Sequence, residues 1–285
     1  MGVTLLALMQ VDSVISNTIT QDIRLKGHQS IRFTPDGFSV LVSDATYTPV
    51  YLKQYTCESP VSVEELTTEC GQILSDADLI SFEGETVLVT DSMAVTPLPR
   101  QFFNVEKNKG ILEQVCSLKE SDHLFHRPIK NRNFHLLYAV PEKIIELSNR
   151  FTTEVKILHT AECLLSLSDQ VKSSDHQRGV VLVEVQSQSL DILVIAGDQI
   201  QLINRYSLND PSDFIYHTLN TMKQLELNCE MIPVHLSGMI HEDHPLYLLL
   251  KKYIRNVAHT PYFLEHLTRE QILRFMILSE GSKCA

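Results

Sequence analysis

One arrangement of elements, three consecutive strands and then a helix, occurs twice along this chain, once from about Ser30 and again from about Arg178. A repeat of that size restricts the fold to architectures built from two copies of one supersecondary unit. In the first copy Ile31 to Thr34, Phe38 to Ser43 and Val50 to Tyr55 read as a meander of strands. Pro35-Asp36-Gly37 joins the first two, because Pro presets φ at the first central position of a type I turn and Gly suits its last position. Ser62-x-x-Glu65 is a capping box, and behind it Val63, Leu66, Cys70 and Ile73 fall on one helical face. In the second copy the strands are Val180 to Val185, Asp191 to Ile195 and Ile200 to Tyr206. Asp210-Pro211-x-Asp213 then supplies an N-cap, a first-position proline and a first-turn acid for a helix lined by Ile215, Leu219 and Met222.

Each copy continues with further strand and helix units. After the first come a strand at Thr86 to Thr90, a helix at Asn104 to Ser117 and a strand at Phe134 to Val140. Pro141 is placed at the first position of a helix carrying Ile144, Leu147 and Phe151, and Thr160 is placed as the N-cap of a helix carrying Leu164, Leu165 and Leu167 after a strand at Val155 to His159. The polar stretch Val171 to Arg178 reads as the connection, giving units 22–173 and 177–285. The second unit ends with a strand from Met231 to Leu236 followed by Ser237-Gly238, and helices at Leu246 to Ile254 and Thr268 to Leu278.

Composition narrows the function classes. At 285 residues there is room for about two domains or one of barrel size. A hydrophobic share of 44% and a charged share of 21% exclude a disordered chain and a coiled coil. The net charge of −11 argues against nucleic acid or anionic lipid as a partner for the surface as a whole. The six cysteines, at positions 57, 70, 116, 163, 229 and 284, form no C-x-x-C pair and read as thiols of a cytoplasmic protein. The apolar run Val3 to Met9 has no preceding Lys or Arg, and no stretch reaches the length of a membrane span. Met1-Gly2 lacks the hydroxyl residue that myristoylation wants at position six, which is Leu6.

A doubled β-β-β-α-β-α unit, ribonuclease H-like, is similar to the two-domain α/β fold of the actin-like ATPases, which include actin, sugar kinases, chaperones and bacterial cell-division and pilus-assembly proteins. Residues 180–196, V-V-L-V-E-V-Q-S-Q-S-L-D-I-L-V-I-A, resemble the second phosphate hairpin of that fold, and Ser237-Gly238 after I-P-V-H-L resembles its adenosine-side motif. Gly37 to Val40 (G-F-S-V), Thr96 to Phe103 (T-P-L-P-R-Q-F-F) and Leu158-His159-Thr160-Ala161 resemble an uncharacterised bacterial family of the same fold, a domain of unknown function. The likeness covers Ser30 to Leu278. It implies a nucleotide cleft at Glu184, Gln186, Gln188, Ser237 and Gly238, and the departures imply that this cleft is degraded. Thr34-Pro35-Asp36-Gly37 is a tight turn, Pro35 lacks a donor, and Phe33 stands where an acid is expected. Glu184 keeps the acid of the second hairpin, but Gln186 and Gln188 replace glycines and Leu190 replaces a hydroxyl. If those turns need positive φ, each side chain costs about 1–2 kcal/mol.

The expectation is therefore a non-catalytic actin-like protein that needs no cofactor and acts as a cytoplasmic scaffold binding another protein. A first alternative is a divergent ATPase or kinase with Glu184 near the metal. A second is a metal-dependent hydrolase at His241 and His244, with His235 one strand-end away, although His241 to Pro245 reads as a solvated loop. His123 and His126 lie three apart in a strand and face opposite sides. Cys70 and Cys163 sit on apolar helix faces and read as core. Tyr206, Tyr216, Tyr247, Phe102 and Phe103 read as packing residues in preference to a cleft lining. No phosphate-loop, dinucleotide, zinc-protease or nucleophile-elbow motif occurs.

Overall fold

Alternating apolar positions and capped helix starts set most element boundaries in a computed structural model that describes residues 9–129, 132–171, 179–196 and 199–284. In chain order the first part holds β1 (Gln10–Ser16), α1 (Gln21–Lys26), β2 (His28–Thr34), β3 (Gly37–Ser43), β4 (Pro49–Thr56), α2 (Val63–Asp76), β5 (Glu85–Thr90) and β6 (Val95–Pro99). A 3-10 turn (Arg100–Phe102) leads to α3 (Asn108–Val115), β7 (Asp122–Pro128), β8 (Phe134–Pro141), α4 (Glu142–Ser148), β9 (Val155–His159) and α5 (Thr160–Gln170). Then follow β10 (Val180–Val185), β11 (Ser189–Ala196), β12 (Gln199–Ser207), α6 (Pro211–Gln224), β13 (Val234–Gly238), α7 (Pro245–Leu250), β14 (Val257–His259) and α8 (Arg269–Lys283).

The strand order β4-β3-β2-β5-β9 in one sheet recurs as β12-β11-β10-β13-β14 in the other. In both, the opening three strands are antiparallel and the last two run parallel to the first. β1 extends the first sheet beyond β4, and β6-β8-β7 form a separate small sheet. The connection Val171 to Arg178, where the two units were expected to meet, lies outside the described residues from 172 onward, as does the N-terminal apolar run up to residue 8.

β10 and β11 are covered on both faces, so they read as largely apolar runs, whereas the edge strand β12 alternates polar and apolar residues. Val181, Val183, Val185, Leu190, Ile192 and Val194 join Phe214 of α6 and Leu250 of α7 in one core. Leu182, Leu193 and Ile195 face the other way and join the main core with residues of the first sheet and of α5 and α8. Helix α8 touches β2, β3 and β5 on one side and β13 on the other. Every residue from Phe275 to Ser282 is buried, as a helix enclosed between two sheets requires.

Several local expectations are corrected. Pro141 is not the first helical residue but the last of β8: its backbone is extended and it is still paired with Asp122. Thr160 is not the N-cap of α5. His159 is, its ring Nδ1 accepting from Ala161 N at 3.0 Å while Glu162 accepts from His159 N. Helix α3 begins at Asn108 because Asn104 turns on itself, its side chain accepting from Glu106 N. Helix α7 stops at Leu250, and α8 runs on to Lys283.

Candidate functional site

Period-two alternation dictates which side chains meet between the sheets. Glu184 on β10, Asp191 on β11 and Arg205 on β12 occupy facing ladder positions, and all three point to the side that meets the first sheet. Two carboxylates opposite each other on neighbouring strands repel unless a cation bridges them. The first sheet supplies one from β2, where Arg32 stands between the core residues Ile31 and Phe33. Asp91, directly after β5, and Thr160, at the start of α5, complete the set.

The resulting network is buried and closely bonded. Arg32 grips both oxygens of Asp91, Nε at 3.1 Å and Nη2 at 3.0 Å, and reaches Glu184 with Nη1 at 2.5 Å. Arg205 donates to Asp191 at 2.6 Å, to Asp91 at 2.9 Å and to Ser189 Oγ at 2.6 Å. Thr160 donates its hydroxyl to Asp91, and Gln186 donates to Glu184 at 2.7 Å. Among its charged groups the Glu184 and Arg205 side chains are 0% exposed, and Arg32, Asp91 and Asp191 do not exceed 5%.

Two guanidinium groups face three carboxylates, which leaves one carboxylate in excess and makes one protonation favourable. Burial, reinforced by Asp91 and Glu184, pushes Asp191 up to about 7 despite Arg205. Burial likewise raises Glu184 above the usual carboxylate range, and its Oε2 has no hydrogen-bond partner. Asp91 behaves oppositely: burial opposes its charge, but Arg205 and Arg32 outweigh it and hold Asp91 well below that range. Burial takes the neighbouring His159 down to about 4. It is therefore neutral at pH 7, with Nε2 donating to Ser92 O at 2.8 Å.

The two hairpin turns that flank this network are tied together. Ser187, in the turn between β10 and β11, donates to Asp36, in the turn between β2 and β3. Gly37 is required by close approach, since a Cβ there would sit 1.9 Å from Tyr55 O. Neither Gln186 nor Gln188 has positive φ, so the strain conditional on such a φ is absent. The turn closes as an ordinary hairpin, with Gln186 N donating to Ser189 O. Leu190 is core, and the hydroxyl beside it, Ser189, serves Arg205.

Of the residues singled out from sequence, Glu184, Gln186, Ser237 and Gly238 come together. Ser237 and Gly238 pair in register with Glu184 and Val185, and Gly238 has φ +85° with Val185 O against its Cα. Gln188 takes part through its carbonyl, which accepts from Leu208 N. Arg32, Asp91, Asp191 and Arg205 carry the network yet escaped the sequence reading. Arg32 and Asp191 carry a signal, a lone charge within an apolar strand run, as in I-R-F and L-D-I, whereas Asp91 and Arg205 carry none.

The remaining candidates lie apart. His241 and His244 pack edge to face with ring centroids 5.7 Å apart, and His244 Nδ1 caps α7 by accepting from Leu246 N. Among the described residues no group of three or more His, Cys, Asp or Glu is placed to hold a metal. The three carboxylates of the network face guanidinium groups instead. Tyr216 and Phe102 are exposed, Tyr247 is buried against His259, Tyr206 stacks on His217 and Phe103 stacks on His135, so these rings do not line one cleft. Cys70 and Cys163 are fully buried. No helix among the described residues is long and apolar enough to cross a membrane.

Comparison with known proteins agrees with this architecture. A Bacteroides thetaiotaomicron protein with actin-like ATPase fold and unknown function is similar over 84% of this chain and 93% of its own, with 22% identity and a TM-score of 0.70. PilM in the PilM-PilN type IV pilus biogenesis complex is similar over 91% of this chain and 98% of its own, with 12% identity and a TM-score of 0.58. The ethanolamine utilization protein EutJ from Carboxydothermus hydrogenoformans gives 9% identity and a TM-score of 0.50, over 91% of this chain and 89% of its own. No curated protein matches the chain in sequence. The fold is that of the actin-like ATPases. The family model described as Protein of unknown function (DUF3822) matches residues 16–257, and the chain belongs to that family.

Proposed function

We propose that this DUF3822 protein is a non-catalytic member of the actin-like fold that works in the cytoplasm as a scaffold holding another protein. The observation that carries the reading is the pairing of Glu184 with Arg32. The acid that the resemblance would place near a nucleotide's metal is wholly buried and ion-paired at 2.5 Å, inside a network that also engages Asp91, Asp191 and Arg205. The two turns that would cradle phosphates are bonded to each other through Ser187 and Asp36. Opening this space for Mg·ATP means breaking several buried charge-assisted hydrogen bonds, each of the stronger class. PilM, a neighbour in fold, is found in complex with the protein PilN, and that supports protein binding as the role left to a scaffold whose cleft is closed. We place its units at 22–173 and 177–285, with α8 returning between the two sheets.

The test is ATP turnover by the purified protein and its Glu184→Ala variant. No turnover by either is expected. Turnover by the wild type that is abolished in Glu184→Ala overturns the reading in favour of a divergent ATPase.

A further inference from the structure

A cleft of about 1150 Å³ opens where the small β6-β8-β7 sheet meets β9, α5 and the end of α8. Its lining carries five cations in a chain whose net charge is −11: Arg100, Arg127, Arg132, Lys156 and Lys283. Among the described residues two acids, Glu162 and Asp169, line the same cleft. Glu162 is taken by Arg127 at 2.7 Å. Among the described residues Arg100 and Lys156 have no carboxylate within ion-pairing distance.

One group there is unspent at considerable expense. The Arg132 side chain is 6% exposed and uses Nη2 on Asp169 and Ser168, but its Nη1 is buried with no hydrogen-bond partner. His135 also lines the cleft, and its buried Nδ1 has no hydrogen-bond partner. A buried donor left without an acceptor is costly, and an acceptor arriving from outside recovers that. Apolar surface from Ile129, Phe134 and Leu165 lies beside these groups. The segment T-P-L-P-R-Q-F-F serves this place, since its turn delivers Arg100 to the rim and Phe103 stacks on His135 at 3.9 Å.

We propose that this cleft is the docking site for a protein segment that presents acidic side chains next to apolar ones. Charge complementarity selects the acids, the buried Arg132 Nη1 selects an acceptor, and the apolar lining gives the neighbouring side chains a seat. The volume exceeds what a small metabolite needs, roughly 300–1000 Å³ at most, and suits several residues of a peptide. The edge of β9 is closed at Ile157 O by Arg127 and Tyr138, so recognition there runs through side chains and not through strand addition. The assignment rests on the scaffold reading above and names the chemistry of its partner.

The experiment measures anisotropy of fluorescein-labelled short peptide pools that combine Asp and Glu with Leu and Phe, against control pools with Lys in the acidic positions. Binding of the acidic pool alone is expected, weakened about tenfold or more by Arg132→Gln and by Lys156→Glu. Lys156 is exposed, so its variant is expected to keep the wild-type thermal midpoint and to report on charge alone. Absence of binding, equal binding of both pools, or unchanged binding in both variants overturns the proposal. So does displacement of the acidic peptides by millimolar inorganic phosphate, which assigns the cleft to a small anion. A protein with neither peptide binding nor ATP turnover loses this site and keeps the scaffold reading; ATP turnover dismisses that reading whatever the peptides do.

Discussion

Arg205 touches three partners at once, Asp191, Asp91 and Ser189, with its side chain wholly buried. Arg205→Ala leaves two buried carboxylates short of a cation, and removing one partner from such a set costs about 3–5 kcal/mol. Urea unfolding is expected to show that loss in Arg205→Ala. It is expected to show a smaller loss when Arg205→Met is combined with Asp191→Leu, because the second change removes the orphaned charge. The excess carboxylate adds a pH signature. Asp191 binds its proton near pH 7 in the folded protein and near 3.8 when unfolded, so its contribution is full below about 3.8 and lost as pH rises through 7. His159 runs the other way, folded near 4 against 6.5 unfolded, contributing above 6.5 and losing that as pH falls through 4. The two oppose each other over most of that range, so the readout is the difference between wild type and Asp191→Asn. From about pH 4 to 7 the variant should gain on the wild type by up to about 1.4 kcal/mol per pH unit; a flat difference contradicts the assignment. At this scale the sequence was only partly legible. Glu184 was visible through its place in a hairpin, whereas Arg32, Asp91 and Arg205 are meaningful only once two sheets face each other.

Elements with local punctuation were the legible ones. The capping box at Ser62 and the N-cap at Asp210 start their helices as expected, while Thr268, expected as the first residue of the last helix, is its N-cap. β1, β6 and β14 were not foreseen, for identifiable reasons: β1 is an exposed edge strand with little apolar alternation, β6 carries Pro97 and Pro99, and β14 has three residues. Proline is tolerated in β6 because that strand lies at the edge of its sheet. Helix α8 shows how tightly one element is fitted between the sheets. A Cβ added at Gly281 would come within 2.8 Å of Val89 Cγ2 and 3.2 Å of Ser30 Oγ. Gly281→Leu is therefore expected to lower stability by about 1–3 kcal/mol through overpacking, with the midpoint in urea as the measurement. Cys163 on α5 and Cys70 on α2 are fully buried with thiols pushed up, the first by its hydrogen bond with Cys284 and by burial, the second by burial. Both are expected to resist iodoacetamide in the native protein and to react once it is unfolded, as mass spectrometry can follow.

Over the whole molecule, the repeated strand order was legible because each copy carries its own turns and caps, and those are local signals. What joins the copies was not, since it depends on contacts between residues far apart in sequence: Arg32 with Glu184, Ser187 with Asp36, and α8 with both sheets. These contacts join the two sheets, and on the reading proposed above they close the space a nucleotide would need. The direct measurement of that closure is the thermal midpoint of the pure protein with and without millimolar Mg·ATP, because a ligand at a hundred times its dissociation constant stabilises by about 2.7 kcal/mol. An unchanged midpoint is the predicted result. A rise of several degrees that disappears in Glu184→Ala would contradict it.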